Sequence, residues 1–185
     1  MNRKELIFTT ARKVIVQNGL FDASIGKIAK EANIPVGSLY TYYKSKEELV
    51  NDIFIVTKQE MGQYIFQSIS KSVTEKEELK IYWERAVEFG LTNQEKFLFA
   101  EQFANSPLIK KTNKEEVKQN FERVFALLES GIAEGNLKAI DLFVLHNIIY
   151  TNIVGTIKYF SQQETKITKK LKDQLFECCW DSIKI

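Results

Sequence analysis

Apolar residues recur every three or four positions along almost the whole chain, and no segment keeps the two-residue alternation of a half-buried strand. The pattern predicts an all-α protein of about nine helices separated by short caps. Leu6, Ile7, Ala11, Val14 and Ile15 form the first stripe, which closes at Asn18 and Gly19, where glycine can take the left-handed conformation that ends a helix. Leu20 and Phe21 are expected to turn inward, with Asp22 or Ser24 capping a second helix whose buried face is Ile25, Ile28, Ala29 and Ala32. Asn33, Ile34 and Pro35 break that helix, and proline suits the first turn of the next. The third helix is short, Pro35 to Tyr42, and buries Leu39 and Tyr43.

Ser45 and Glu48 have the spacing of a capping box and predict a longer fourth helix, with Leu49, Val50, Ile53 and Phe54 starting an apolar face that runs toward Ile69. The same spacing recurs at Thr74 and Glu77, Thr92 and Glu95, and Thr112 and Glu115, while Ser106 and Pro107 give a cap-plus-proline start. Helices are expected near 75–91, 94–105, 113–134, 141–161 and 167–183, with Gly135 and Asn136 as a break. No linker is long enough to separate free domains. The fourth helix is expected to join the N-terminal module to the body as a rigid lever.

Composition narrows the function by exclusion. At 185 residues the chain can bury a full core, and 27% charged with 44% hydrophobic residues is ordinary for a soluble protein. No run approaches the ~20 apolar residues needed to cross a bilayer, and no secretory leader opens the chain, so a cytoplasmic location with no membrane partner is expected. Residues 1–50 carry eight Lys/Arg against five Asp/Glu, a mildly basic start on a neutral body. The only cysteines, Cys178 and Cys179, are adjacent and lack CxxC spacing, so they read as reduced thiols and not as metal ligands. With one histidine and no HExxH, P-loop, GxGxxG or GxSxG motif, no cofactor, metal site or catalytic residue is expected.

The chemistry concentrates between Ser24 and Leu49. Two short helices joined by a tight non-helical break can brace the DNA backbone with one and present the first turns of the next to the major groove. Ser24, at a helix start, can hydrogen-bond a phosphate beside free backbone N–H groups. Val36, Gly37 and Ser38 occupy the first turn of the presumed recognition helix, and Gly37 lets the backbone approach DNA closely. Tyr40 and Tyr42 can reach phosphates through their hydroxyls, Lys46 can neutralise one, and Thr41 is a further candidate on the exposed side. Between Asn33 and Tyr43 there is no Lys or Arg, so the arginine–guanine contact is unavailable from this helix. Base reading is then expected from Val36 and Thr41 against thymine methyls, from hydroxyl and backbone contacts, and from DNA shape.

This stretch resembles the TetR family of bacterial transcriptional regulators. The matching positions are Ile28, Ala29 and Ala32, then Gly37, Ser38, Leu39 and Tyr40, then Tyr42 and Tyr43, and finally Ser45, Lys46, Glu47, Glu48 and Leu49. The resemblance implies phosphate contacts at Ser24, Tyr40, Tyr42 and Lys46, and base-proximal positions at Val36, Gly37, Ser38 and Thr41. Gly26 stands where some relatives place a long base-reading residue, with Lys27 as a partial replacement, and Tyr43 replaces the usual phenylalanine.

The resemblance also implies a body that encloses a ligand and pairs with a second copy. The middle helices are rich in aromatic residues, and the expected pocket residues are Tyr82, Trp83, Phe89, Phe99 and Phe103, together with Phe121, Phe125, His146 and Tyr150. For each aromatic taken singly, solid core is the competing reading. The expected dimer interface comprises Leu145, Ile149, Ile153 and Gly155 on one helix with Leu175 and Cys179 on the last. The chain thus divides into a helix-turn-helix DNA-binding domain over 1–48 and an effector-binding and dimerisation domain over 49–185. Its expected partners are double-stranded operator DNA, a second copy of itself and a small-molecule effector. The leading function is a repressor released from its operator by a small apolar or amphipathic ligand. The alternatives are a DNA-binding regulator without such a ligand, or a helical enzyme using Asp/Glu acid–base chemistry.

Overall fold

The computed structural model describes residues 2–67, 74–119, 121–163 and 167–185. Among them are ten helices: α1 (Arg3–Asp22), α2 (Ile25–Glu31), α3 (Val36–Tyr42), α4 (Lys46–Phe66), α5 (Glu75–Thr92), α6 (Gln94–Ala104), α7 (Lys111–Gln119), α8 (Glu122–Ala133), α9 (Leu142–Phe160) and α10 (Lys169–Ile183). The only extended pairing among the described residues is an isolated bridge between Leu137 and Lys184. The tenth helix arises because the segment expected as one helix over 113–134 is two. Phe121 has φ −121° and ψ 8°, outside helical geometry, and α8 starts after it.

Two compact units emerge from the packing: Met1–Glu60 with Glu95–Val117, and Met61–Gln94 with Lys118–Ile185. The first therefore carries α1 to α3, most of α4, nearly all of α6, and most of α7. Its core is built from Ile7, Phe8 and Ile15 of α1, Ile28 of α2, Leu39 of α3 and Ile53 of α4, all at most 4% exposed. Phe97, Phe99 and Phe103 of α6 are equally buried, and the Phe99 and Phe103 rings lie 4.7 Å apart. Those two phenylalanines, expected beside a ligand, are core residues of the unit that carries the helix-turn-helix.

In the second unit α5 packs against α8, α9 and α10. Leu79, Trp83 and Val87 of α5, Leu145, Ile149, Ile153 and Ile157 of α9, and Phe176, Cys179 and Ile183 of α10 supply its core. Gly90 permits the close approach of α5 to α9, because a Cβ there would overlap the Ile157 side chain. Leu145, Ile149, Ile153 and Cys179 were expected to face a second copy. Each is at most 1% exposed within the single chain, so none is left for a partner. The periodicity identified their burial and misassigned what buries them.

Several local expectations also changed. Gly19 does take a left-handed φ of 79°, yet helical geometry resumes after it as far as Asp22. Leu20 is half-buried, but Phe21 is 96% exposed and does not turn inward. The Thr74 and Glu77 box is complete. Thr92 instead donates its hydroxyl to the Glu88 carbonyl within its own helix. Pro107 sits in a turn, and α7 begins only at Lys111. Ile69 and the side chains of the Thr112 and Glu115 pair lie outside the described residues.

Candidate nucleic-acid interface

The turn that presents α3 is fixed by local chemistry. Asn33 takes φ 52°, a left-handed conformation that asparagine tolerates better than most residues. The Asn33 and Ile34 amides donate to the Lys30 and Ala29 carbonyls, closing the C-terminus of α2. Pro35 then stands at the N-cap of α3 with φ −58° and ψ 136°. Buried Leu39 and Tyr43 hold this helix from beneath. The Tyr43 hydroxyl donates to Asp52 Oδ2 at 2.8 Å, tying the end of α3 to α4. Burial, reinforced by that carboxylate, raises the Tyr43 pKa well above the usual phenol range, so the donor stays protonated at physiological pH.

What remains outside is a polar and aromatic face that the protein's own fold leaves largely exposed. Val36, Tyr40 and Tyr42 are 43%, 54% and 48% exposed. Gly37 and Thr41 are exposed beside them, and Ser38 is half-buried. A Cβ built on Gly37 would meet nothing within 4 Å. Internal packing therefore gives no reason for glycine at a helical position, where it costs up to ~1 kcal/mol against alanine. The Thr41 hydroxyl donates to the Ser38 carbonyl at 2.7 Å. Its oxygen can still accept a hydrogen bond from outside, and its methyl group is available to an apolar contact.

The other three sequence-derived contacts are already engaged within the unit. Ser24 caps α2 by accepting from the Lys27 amide at 3.1 Å, which leaves its hydroxyl proton available to an external acceptor. Lys27 Nζ donates to Asn18 Oδ1 at 2.9 Å, linking α2 to the end of α1. Lys46 Nζ donates to the Leu20 carbonyl at 2.8 Å, a favourable place for a cation because it is the C-terminal end of a helix. Lys46 thus positions the loop that carries Ser24, besides any phosphate it meets. Gly26 has only Ser24 Oγ near its missing Cβ, at 3.9 Å.

Sequence reasoning placed Asn18 only at a helix end, without its link to Lys27, and missed Asn51. Asn51 is 5% exposed and fully used. It donates to the Glu47 and Leu108 carbonyls and accepts from the Lys110 amide and Asn113 Nδ2. It therefore fixes the segment after α6 against α4. A contact spanning 57 residues leaves no local pattern by which a sequence could announce it.

The second unit gathers most of the expected pocket residues. Phe66 stacks on Tyr82 at 5.8 Å and meets Phe121 edge-on at 5.9 Å. His146 lies 4.7 Å from the Phe125 ring and 6.3 Å from Tyr150. The Tyr82 hydroxyl is 3.3 Å from His146 Nε2, and burial pushes the Tyr82 pKa up, so it remains a neutral phenol. Trp83 and Phe89 are core residues at 0% and 3% exposure, and Trp83 Nε1 donates to Asn152 Oδ1 at 2.7 Å. Phe121, Phe125, His146 and Tyr150 are half-buried. Among the described residues no group of three His, Cys, Asp or Glu side chains could hold a metal ion, and no helix is long and apolar enough to cross a membrane.

Residues 7–53 match the family model described as bacterial regulatory proteins, tetR family. Residues 54–185 match that described as tetracyclin repressor-like, C-terminal domain. The chain is 31% identical over 182 residues to the uncharacterized HTH-type transcriptional regulator YhgD of Bacillus subtilis, covering 96% of this chain and 94% of that protein. It is 27% identical over 168 residues to the fatty acid metabolism regulator protein of the same organism, covering 86% and 84%. The solved structure of the regulator FadR from Bacillus subtilis in complex with stearoyl-CoA shares the fold, with a TM-score of 0.78, 20% identity and coverage of 98% and 100%.

Proposed function

The chain belongs to the TetR family of bacterial transcriptional regulators, and from that premise we propose that the exposed face of α3 reads operator DNA and that an amphipathic ligand in the second unit releases it. The observation that carries the DNA assignment is Gly37. It is a helical glycine beside exposed Val36, Tyr40 and Tyr42, and nothing in the protein requires it. Close approach of the backbone to a major-groove edge supplies the missing reason. Ser24, Tyr40 and Tyr42 donate to phosphates, Val36 and Thr41 face the bases, and Lys46 with Lys27 sets the register of the α1–α2 corner.

The effector site is the half-buried aromatic group of Phe66, Phe121, Phe125, His146 and Tyr150, with Tyr82 beneath it. Its apolar rings with a few polar handles suit a long-chain acyl compound. A relative 27% identical to this chain is a fatty acid metabolism regulator, and a structural neighbour holds stearoyl-CoA. A second copy pairs on the faces of α9 and α10 that the single chain leaves outside. Val144 and Tyr159 are 52% and 61% exposed, Gly155 has open space around it, and Leu175 is half-buried.

Mobility-shift assays with promoter fragments from the chain's own genomic neighbourhood test this reading. The expected result is tight, salt-sensitive binding of a dimer to one fragment, relieved by acyl-CoA of some chain length. A purified dimer that prefers no fragment overturns the DNA reading. Specific binding that no acyl-CoA weakens overturns the effector reading alone.

A further inference from the structure

Arg12 is a charged side chain in the wrong place for a helix whose other inward residues are apolar. It is 5% exposed among Ile7, Phe8, Ala11, Val14 and Ile15 of α1, yet its five N–H donors are poorly used. Nη1 reaches Thr57 Oγ1 at 3.4 Å, a long contact. Nε is 3.7 Å from Glu95 Oε1, an ion pair by distance that is beyond hydrogen-bond length, and it has no hydrogen-bond partner among the described residues. Glu95 balances part of its charge, but the donor capacity of a buried guanidinium left unfilled is costly unless something else accepts from it.

A cavity of about 480 Å³ opens on this side chain, wholly within the first unit and lined from α1, α4 and α6. That volume falls in the range of small-molecule sites. Phe8 and Val56 give it an apolar wall, Thr9 adds a hydroxyl, and Lys96 and Lys4 add two further cations, Lys4 being paired with Asp52 at 3.0 Å. Its two carboxylates differ in their partners. Glu5 accepts from the Asn2 amide at 2.9 Å, and Glu60 Oε2 lies 2.9 Å from Lys96 Nζ, an ion pair by distance that lacks hydrogen-bond geometry. Arg12 Nε, a donor, and Glu60 Oε2, an acceptor, are the buried lining atoms without a hydrogen-bond partner among the described residues, and with Lys4, Arg12 and Lys96 against Glu5 and Glu60 the lining carries one more positive than negative charge beside an apolar surface.

We propose that this cavity binds a small organic molecule through an oxyanion, a carboxylate or phosphate group, held by Arg12 and Lys96 with its apolar part against Phe8 and Val56. The planar guanidinium suits two-point binding of such a group, and Lys96 supplies a mobile second charge. The site lies in the unit that carries α3, is separate from the aromatic group of the second unit, and does not depend on the acyl-ligand reading.

Titration calorimetry of the full-length protein with malonate, with inorganic phosphate and with chloride, at matched ionic strength, tests the proposal. The expected result is saturable binding of one malonate or one phosphate per chain, at least tenfold weaker in both Arg12→Met and Lys96→Met, with no saturable signal from chloride. Binding of malonate alone assigns a carboxylate ligand, binding of phosphate alone a phosphoryl ligand, and both an oxyanion site open to either. Lys96 is partly exposed, so Lys96→Met keeps the test decisive if the Arg12 variant fails to fold. Heat that never saturates, or saturable binding unchanged in Lys96→Met, overturns the proposal.

Discussion

The outer face of α3 and the inner face of α9 are opposite solutions to the use of a helix. On α9, Leu145, Ile149, Ile153 and Ile157 are all at most 1% exposed, and their chemistry is exhausted by the chain's own core. On α3, Leu39 alone is buried, and Val36, Gly37, Tyr40, Thr41 and Tyr42 remain outside, only Thr41 among them spending a side-chain hydrogen bond on its own helix. Residues that a fold needs can be replaced only at a cost in stability. Residues that it does not need are free to serve a partner outside the chain.

That contrast breaks most readily in the core. Trp83→Ala removes a fully buried ring and its hydrogen bond to Asn152, and should cost ~3–5 kcal/mol of unfolding free energy in a denaturant titration. On the α3 face the same kind of measurement should show nothing. Tyr42→Phe should leave the unfolding midpoint unchanged while operator affinity, by fluorescence anisotropy, falls by ~1.5–3 kcal/mol for a lost hydrogen bond to a phosphate. The fall should be similar on specific and unrelated DNA, because a phosphate contact carries no sequence information. Thr41→Val keeps the methyl group and removes the oxygen. It should cost ~1 kcal/mol at most, confined to one base position in a binding-site selection. On α10 the neighbours Cys178 and Cys179 should separate by exposure. Burial pushes the Cys179 thiol up to about 12, so at pH 8 it stays neutral and unalkylated until denaturant is added, as mass spectrometry would show.

The two regions also differ in how much the sequence disclosed. Gly37, Tyr40, Tyr42 and the Ser45 to Leu49 segment were legible because they sit within one short window. Their spacing follows local rules of turns, caps and exposed faces. Helix positions elsewhere followed from the same rules, apart from the division at Phe121, the turn at Pro107 and the continuation of α1 past Gly19. The packing partners did not follow. Leu145 and Cys179 show an apolar period that is the same whether the neighbour is α5 or a second copy. Phe99 and Phe103 joined the first unit because chain order does not determine which unit a helix packs in. Arg12 and Asn51 gave no sequence signal, since their roles depend on Thr57, Glu95 and Leu108, distant along the chain.

Gly37→Ala tests the central claim, that the α3 face is shaped for DNA and not for the fold. A Cβ there meets open space, so the variant should unfold at the same midpoint or slightly higher, by up to ~1 kcal/mol of added stability. Operator affinity measured on the same preparation should fall at least tenfold. Unchanged operator affinity in a variant that folds normally would contradict the account, because the glycine would then serve neither the protein nor the DNA.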